Sequence, residues 1–205
     1  MVKMQPIILV DGDGVFIDFV AGYYNLAKQI DPELYANLMP FGTQTNYYIH
    51  DHITDPEIHK RGADFANHPD LFDMLPPISG AIEGLKYLQK YAGEEFGFET
   101  LIVTAPHTSN LHSYTSKAKW IEKHLGQEWL DRLMIVRDKT AVNGIILIDD
   151  KPEPVGKFTP NWEHIIMPYS FNLAEQKTKK VFGGWEKKSI EDIAHFAVKR
   201  YLAYI

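Results

Sequence analysis

Cysteine is absent from the 205-residue chain. Its absence excludes disulfides, thiolate metal sites and a cysteine nucleophile. Positive charge is in deficit as well: 21 Lys and Arg stand against 27 Asp and Glu, a formal net charge of −6. No broad pull toward a nucleic acid polymer or an anionic membrane is expected, so an anionic substrate must be held by a local site. No apolar run approaches the roughly 20 residues that cross a bilayer. Met1 to Val10 is too short, and runs too soon into acidic residues, for a secretory signal. Low-complexity tracts are also missing. A soluble, cytoplasmic protein is the expectation, of a length that fits one domain or a core with a modest insertion.

What is present is organised around Pro6-Ile7-Ile8-Leu9-Val10-Asp11-Gly12-Asp13-Gly14-Val15. A β-branched run of strand length delivers two carboxylates, spaced i and i+2, into a glycine-rich turn. Residues i and i+2 of a strand point to the same side, so Asp11 and Asp13 repel each other unless a cation intervenes. An all-oxygen set suits Mg²⁺ better than a transition metal. An EF-hand loop does not fit, because Val15 stands where a third oxygen ligand belongs.

Residues 16–76 contain helical patterns and no strand. Phe16 to Ile30 has helical spacing and is stopped by Asp31-Pro32. Asp55-Pro56-Glu57 resembles an N-cap followed by proline at N1, opening a helix toward Phe65. Between them lies an aromatic, histidine-rich segment with Tyr47 and Tyr48. Its His50 and His52, with His59, invite a zinc reading. Their segment lacks a convincing carboxylate or thiolate constellation, so they read as solvated loop histidines. From Pro77 onward the pattern alternates: helix 78–91, strand 99–104, helix 115–125, strand 133–136, strand 144–148, strand 164–167 and helix 189–204. The expectation is an α/β fold, a doubly wound, Rossmann-like, mainly parallel sheet with helices on both faces. The core comprises residues 1–15 and 77–205, and residues 16–76 form a small helical cap inserted after the first strand.

Ligands in such sheets sit at the carboxyl ends of the strands. Four ends carry chemistry here: Asp11 with Asp13, Thr104, Lys139 just past its strand, and Asp149 with Asp150. This order resembles the haloacid dehalogenase-like phosphohydrolases, whose motifs are D-x-D, Thr or Ser, Lys, and an acidic pair. Within them, Asp11-Gly12-Asp13-Gly14-Val15 with Asp18-Phe19 is similar to the opening of the 5'(3')-deoxyribonucleotidases. So are Trp120-Ile121-Glu122-Lys123-His124-Leu125-Gly126, Arg137-Asp138-Lys139-Thr140, Leu147-Ile148-Asp149-Asp150-Lys151 and Thr159-Pro160-Asn161-Trp162-Glu163-His164-Ile165. Two positions depart from the pattern. Ala105 stands where the family tends to have serine, and Ser109 where a phosphate-binding lysine is expected.

The resemblance implies a Mg²⁺-dependent phosphomonoesterase acting on (deoxy)ribonucleoside monophosphates through an aspartyl phosphate. Asp11 is then the nucleophile and Asp13 the general acid and base. Thr104, the Ala105 N–H and Lys139 hold phosphate. Asp11, Asp13 (through its carbonyl) and the acidic pair, through Asp149 or Asp150, supply metal ligands. Phe19 matches a position whose ring stacks on the nucleobase, although packing of cap on core is the competing reading. Tyr47, Tyr48 and Lys151 are further candidates for substrate binding, and relatives in the family suggest a homodimer. Two alternatives stay open: the same mechanism on another small phosphomonoester such as a sugar phosphate, and a phospho-signalling receiver. A receiver would carry its acidic pair on the first strand and no insertion.

Overall fold

Six short runs rich in branched aliphatic residues pair side by side into one parallel sheet. The computed structural model describes residues 5–203; the first four residues assigned to the core, and Tyr204 of the closing helix, lie outside them. The strands are β1 (Ile7–Val10), β2 (Glu99–Thr104), β3 (Leu133–Ile135), β4 (Ile146–Asp149), β5 (Glu163–Ile166) and β6 (Lys180–Val181). Their order is β3-β2-β1-β4-β5-β6, with every neighbouring pair parallel. The chain steps outward from β1 to β3, then returns to the other side of β1. The switch point therefore lies between β1 and β4, where a crevice opens at the carboxyl ends. At two residues, β6 is too short to show a period and was not anticipated.

The helices are α1 (Phe19–Ile30), α2 (Pro32–Asn37), α3 (Pro56–Phe65), α4 (Ala81–Phe96), α5 (His112–Leu125) and α6 (Lys187–Leu202). Strand alternation sends Ile8, Val10, Ile146 and Ile148 into the larger core, where they meet Leu85 and Leu88 of α4, Ile121 of α5 and Ile193 of α6. Leu9, Val103 and Leu147 face the other way and pack with Trp162, Val136 and Val142. That second cover is built around the short 3-10 turn Lys139–Ala141. Among the described residues, no helix is long and apolar enough to cross a membrane.

Helix α1 begins at Phe19 rather than at Phe16. The amides of Val15, Phe16 and Ile17 all turn back to the Gly12 carbonyl, and Asp18 caps the helix by accepting from Ala21 N at 2.8 Å. The chain leaves and re-enters the core through a narrow neck. Asp18 N donates to Pro76 O at 2.8 Å and Ile78 N to Phe16 O at 3.0 Å, beside an antiparallel bridge between Ile17 and Pro77. Asp31-Pro32 ends α1 and also opens α2, because the Asp31 carboxylate accepts from Leu34 N and proline fits the first helical turn. Helix α3 starts as its N-cap signal indicates, with Asp55 accepting from Glu57 N and Ile58 N. The Tyr23 hydroxyl of α1 donates to Gly62 O of α3 at 2.9 Å, tying the two together.

Candidate active site

The turn after β1 is fixed by backbone contacts before any side chain acts. Asp11 N donates to Ile148 O at 2.9 Å, which sets β1 against β4 with their acids adjacent. Gly14 has φ of 73°, a region that disfavours side chains, and a Cβ there would lie 2.2 Å from Asp150 Oδ2. Tyr169 donates its hydroxyl to Gly14 O at 2.9 Å. The buried Asn172 amide donates to Asp150 O and Met167 O at 2.8 and 2.9 Å, holding the end of β4.

Lys139 stands between two acids, 2.7 Å from Asp11 Oδ2 and 2.6 Å from Asp149 Oδ2. Burial works against its ammonium, but Asp11 and Asp149 outweigh that and hold its pKa above the ordinary lysine range. Burial raises the Asp11 pKa to about 7; Lys139 opposes the rise, and Asp149 and Asp13 add to it. Burial also pushes Asp149 up, but Lys139 prevails and the net shift is downward. Asp150 has no such partner, and burial with the charges of Asp149 and Asp11 raises its pKa well above the usual carboxylate range. Ligating oxygens of Asp11, Asp149 and Asp150 lie within 4.8 Å of one another. Oδ1 of Asp11, of Asp13 and of Asp150 are buried without a hydrogen-bond partner. Such orphaned acceptors are costly unless a cation or substrate completes them.

The Asp13 carboxylate is turned away from that cluster. Its Oδ2 lies 2.5 Å from Nζ of Lys117, which also donates to Thr104 Oγ1 at 3.1 Å. Lys117 is only 2 % exposed and lies over the Phe72 ring, 5.2 Å from its centroid. Sequence reasoning missed it, although a signal exists. Lys117 falls three and four residues before the buried Trp120 and Ile121, so a lysine occupies the apolar stripe of α5. Ser109, where a phosphate-binding lysine was expected, is exposed; the lysine that reaches Thr104 comes from α5 instead.

A cavity of about 420 Å³ joins these groups, within the range of small-molecule sites. Every residue assigned a catalytic, phosphate-, substrate- or metal-binding role from the sequence lines it: Asp11, Asp13, Phe19, Tyr47, Tyr48, Thr104, Ala105, Lys139, Asp149, Asp150 and Lys151. Phe19 packs between Tyr23 and Phe72, at 6.3 and 6.0 Å between centroids, so it both lines the cavity and joins the packing. Tyr47 meets Phe171 edge on at 5.6 Å, with Lys151 Nζ 5.4 Å from its centroid. Tyr48 is 55 % exposed and sits at the outer rim. His107, Tyr169 and Phe171, which carried no motif, also line the cavity, as does Arg137, which lies in a family-like stretch but was assigned no role.

The chain's matches to known proteins agree with this geometry. The family described as "5' nucleotidase, deoxy (Pyrimidine), cytosolic type C protein" matches residues 5–194. The cytosolic-type 5'(3')-deoxyribonucleotidase of Homo sapiens is 31% identical over 168 residues, 80% of this chain and 81% of that protein. The mitochondrial 5'(3')-deoxyribonucleotidase of Mus musculus is 26% identical over 183 residues, covering 87% of this chain and 80% of its own. In fold, the chain is similar to a Bacteroides fragilis protein described as a haloacid dehalogenase-like hydrolase. The TM-score is 0.51 at 11% identity, over 87% of this chain and 95% of that one. This chain, which shares its fold with that hydrolase, therefore belongs to the 5'(3')-deoxyribonucleotidase family.

Proposed function

We propose that this hydrolase removes phosphate from (deoxy)ribonucleoside monophosphates in a Mg²⁺-dependent reaction, with Asp11 as nucleophile and Asp13 as general acid and base. The observation that carries the reading is the division of charge at the strand ends. Asp11 is shared with Lys139 and an acidic cluster, while Asp13 answers to a separate lysine. One acid is thereby set for attack and the other for proton transfer.

The donor set fits a hard cation. Three carboxylates converge, and two of them, Asp11 and Asp150, carry buried oxygens with no partner. Asp11, Asp149 and Asp150, with the Asp13 carbonyl as the family implies, would hold Mg²⁺. When bound, the ion neutralises phosphate charge and lowers the Asp11 pKa.

Asp11 Oδ attacks phosphorus as the bond to the leaving 5'-oxygen breaks, giving an aspartyl phosphate. Asp13 gives its proton to that oxygen, then takes one from the water that hydrolyses the acyl phosphate. Lys117, 2.5 Å from Asp13, stabilises the carboxylate left behind after each donation. Thr104, the Ala105 N–H and Lys139 hold the phosphate oxygens. Residues 16–76 act as a cap over this floor, and residues 5–15 with 77–203 form the described core. Phe19 and Tyr47, with Lys151 over the Tyr47 ring, form the base-binding wall.

Phosphate release from 5'- and 3'-nucleoside monophosphates, sugar phosphates and p-nitrophenyl phosphate, with Mg²⁺ and with EDTA, tests the proposal. The expected result is Mg²⁺-dependent turnover that favours nucleotides. Full turnover in EDTA would remove the metal, and a preference for sugar phosphates would move the reaction to the alternative substrate class.

A further inference from the structure

A second group of ligating side chains lies in the inserted segment, apart from the strand-end carboxylates. His50 and Asp51 share the turn 49–52, and His59 projects from α3. The His50 and His59 rings meet edge to face, centroids 5.0 Å apart and planes at 79°. His50 Nε2 is 3.7 Å from Asp51 Oδ1, and one ligating atom from each of the three residues lies within 4.8 Å of the others. The expectation of solvated loop histidines therefore does not hold for this pair. His50 is partly buried and lines the cavity, and the carboxylate that the local spacing did not reveal is its own neighbour. His52, by contrast, is committed to Asn37 O at 3.0 Å.

We propose that His50, Asp51 and His59 bind one borderline divalent transition ion of the Zn²⁺ type, clipping the turn to α3 at the edge of the cavity. Two imidazole nitrogens and one carboxylate suit such an ion and are poor ligands for Mg²⁺. Bonds of about 2.0–2.2 Å in a tetrahedral site require donor separations of roughly 3.4 Å, so the three groups need to draw inward by less than about 1 Å. The fourth position is left to water.

The backbone around these donors is held in place. Ile53 N donates to His50 O at 3.0 Å and Asp51 N to Tyr48 O at 3.2 Å, which fixes the turn. Asp55 fixes the start of α3 one helical turn before His59. The approach of the two elements depends on Gly62, where a Cβ would stand 2.7 Å from the His50 Cβ. The ion would join two elements that already meet in close contact, so little ordering entropy opposes binding.

The test uses the full chain, stripped of metal and then saturated with Mg²⁺ to fill the strand-end carboxylates. It is titrated with Co²⁺ as a spectroscopic probe, then with Zn²⁺. One equivalent of Co²⁺ should give the strong visible absorption of a four-coordinate nitrogen-containing site, displaced by one equivalent of Zn²⁺. His59→Ala should weaken Zn²⁺ binding by more than about tenfold, the lower end of what loss of even an outer-shell partner costs. His52→Ala should leave it unchanged. Zn²⁺ should raise the melting temperature of the wild type and not of His59→Ala. Should that variant fail to fold, His59→Gln keeps a polar side chain at the position and serves in its place. No Zn²⁺ uptake in the Mg²⁺-saturated wild type, or equal affinity in the His59 variants, would overturn the site. Phosphate release is read separately, so the proposed reaction stands or falls by its own assay.

Discussion

At the floor of the cavity, carboxylates are answered by ammonium groups: Lys139 lies within 2.7 Å of both Asp11 and Asp149, and Lys117 lies 2.5 Å from Asp13. The wall is held differently. Phe19, Tyr47, Tyr48 and Phe171 meet their neighbours through tilted, edge-on or stacked ring contacts with centroids 5.1 to 6.3 Å apart. Directional charge pairs in a buried setting lose most of their effect when one partner is removed or displaced. Ring contacts are shallow and tolerant, and volume-conserving exchanges cost little. In the proposed reading the floor thus fixes the reaction, and the wall can change what is reacted.

The sharpest way to break this comparison is at the nucleophile. Asp11→Asn should lower kcat by at least about 10⁴-fold, the scale on which loss of a covalent catalyst is felt, and should leave no acid-stable phosphoenzyme. A rate near that of the wild type would move the nucleophile elsewhere.

Next come the groups that handle the proton. Asp13→Asn should cost roughly 10²–10⁴-fold in kcat, with activated leaving groups spared most at the first step. Lys117→Met should lower stability by about 3 kcal/mol, because it strands the Asp13 carboxylate and empties a buried ammonium site. Chemical denaturation measures the stability, and a fall of less than 1 kcal/mol would mean that Asp13 finds other solvation.

Phe19→Ala tests the wall. Base–aromatic stacking is worth about 1–3 kcal/mol, so kcat/KM for nucleotides should fall roughly 5- to 150-fold while p-nitrophenyl phosphate is nearly spared. Equal losses on both substrates, with a lowered melting temperature, would return Phe19 to packing against Tyr23 and Phe72.

The smallest expected effect is a pH dependence of stability confined to the floor. Asp11 has a folded-state pKa of about 7 against 3.8 in the ordinary state, raised by burial. Between those values the folded chain binds a proton that the unfolded chain has released. Its stabilising contribution is therefore full below about pH 4 and is lost as pH climbs toward 7. Asp150 acts in the same direction. Asp149, whose pKa is lowered, acts only below that window. Mg²⁺ should offset the loss, so its effect on melting temperature should grow from pH 5 to pH 8. A Mg²⁺ shift that is flat with pH would contradict the assignment.

The floor was legible in the sequence for the same reason that it is rigid. Strand runs ending in Asp11, Thr104 and Asp149 are local patterns, and a parallel sheet brings such ends together. The order of β1, β2, β4 and β5 along the chain sufficed. Lys117 was not legible by that route, because it reaches Asp13 from the middle of a helix and across the sheet. The wall was legible only in part. Tyr47 and Tyr48 stood out by composition, but the Phe171 ring that meets Tyr47 lies far along the chain, after β5. His50 and His59 were read together but without Asp51, since the three ligating groups come together only when α3 folds back against the turn. The early start predicted for α1 failed because three amides of the turn share the Gly12 carbonyl, a backbone arrangement that side-chain periodicity does not record.

The neck at residues 16–18 and 76–78 separates two design problems. Its hydrogen bonds close the inserted segment at the base, so the ends of that segment are a fixed, short distance apart whatever lies between them. The entropy of closing a loop grows only with the logarithm of its length, about 0.6 kcal/mol for each doubling. A shorter or longer insert can therefore be carried on the same neck at small thermodynamic cost, without rethreading β1 or disturbing the register of β1 with β2 and β4. In engineering terms the neck is a socket, through which one set of strand ends can be fitted with different inserts.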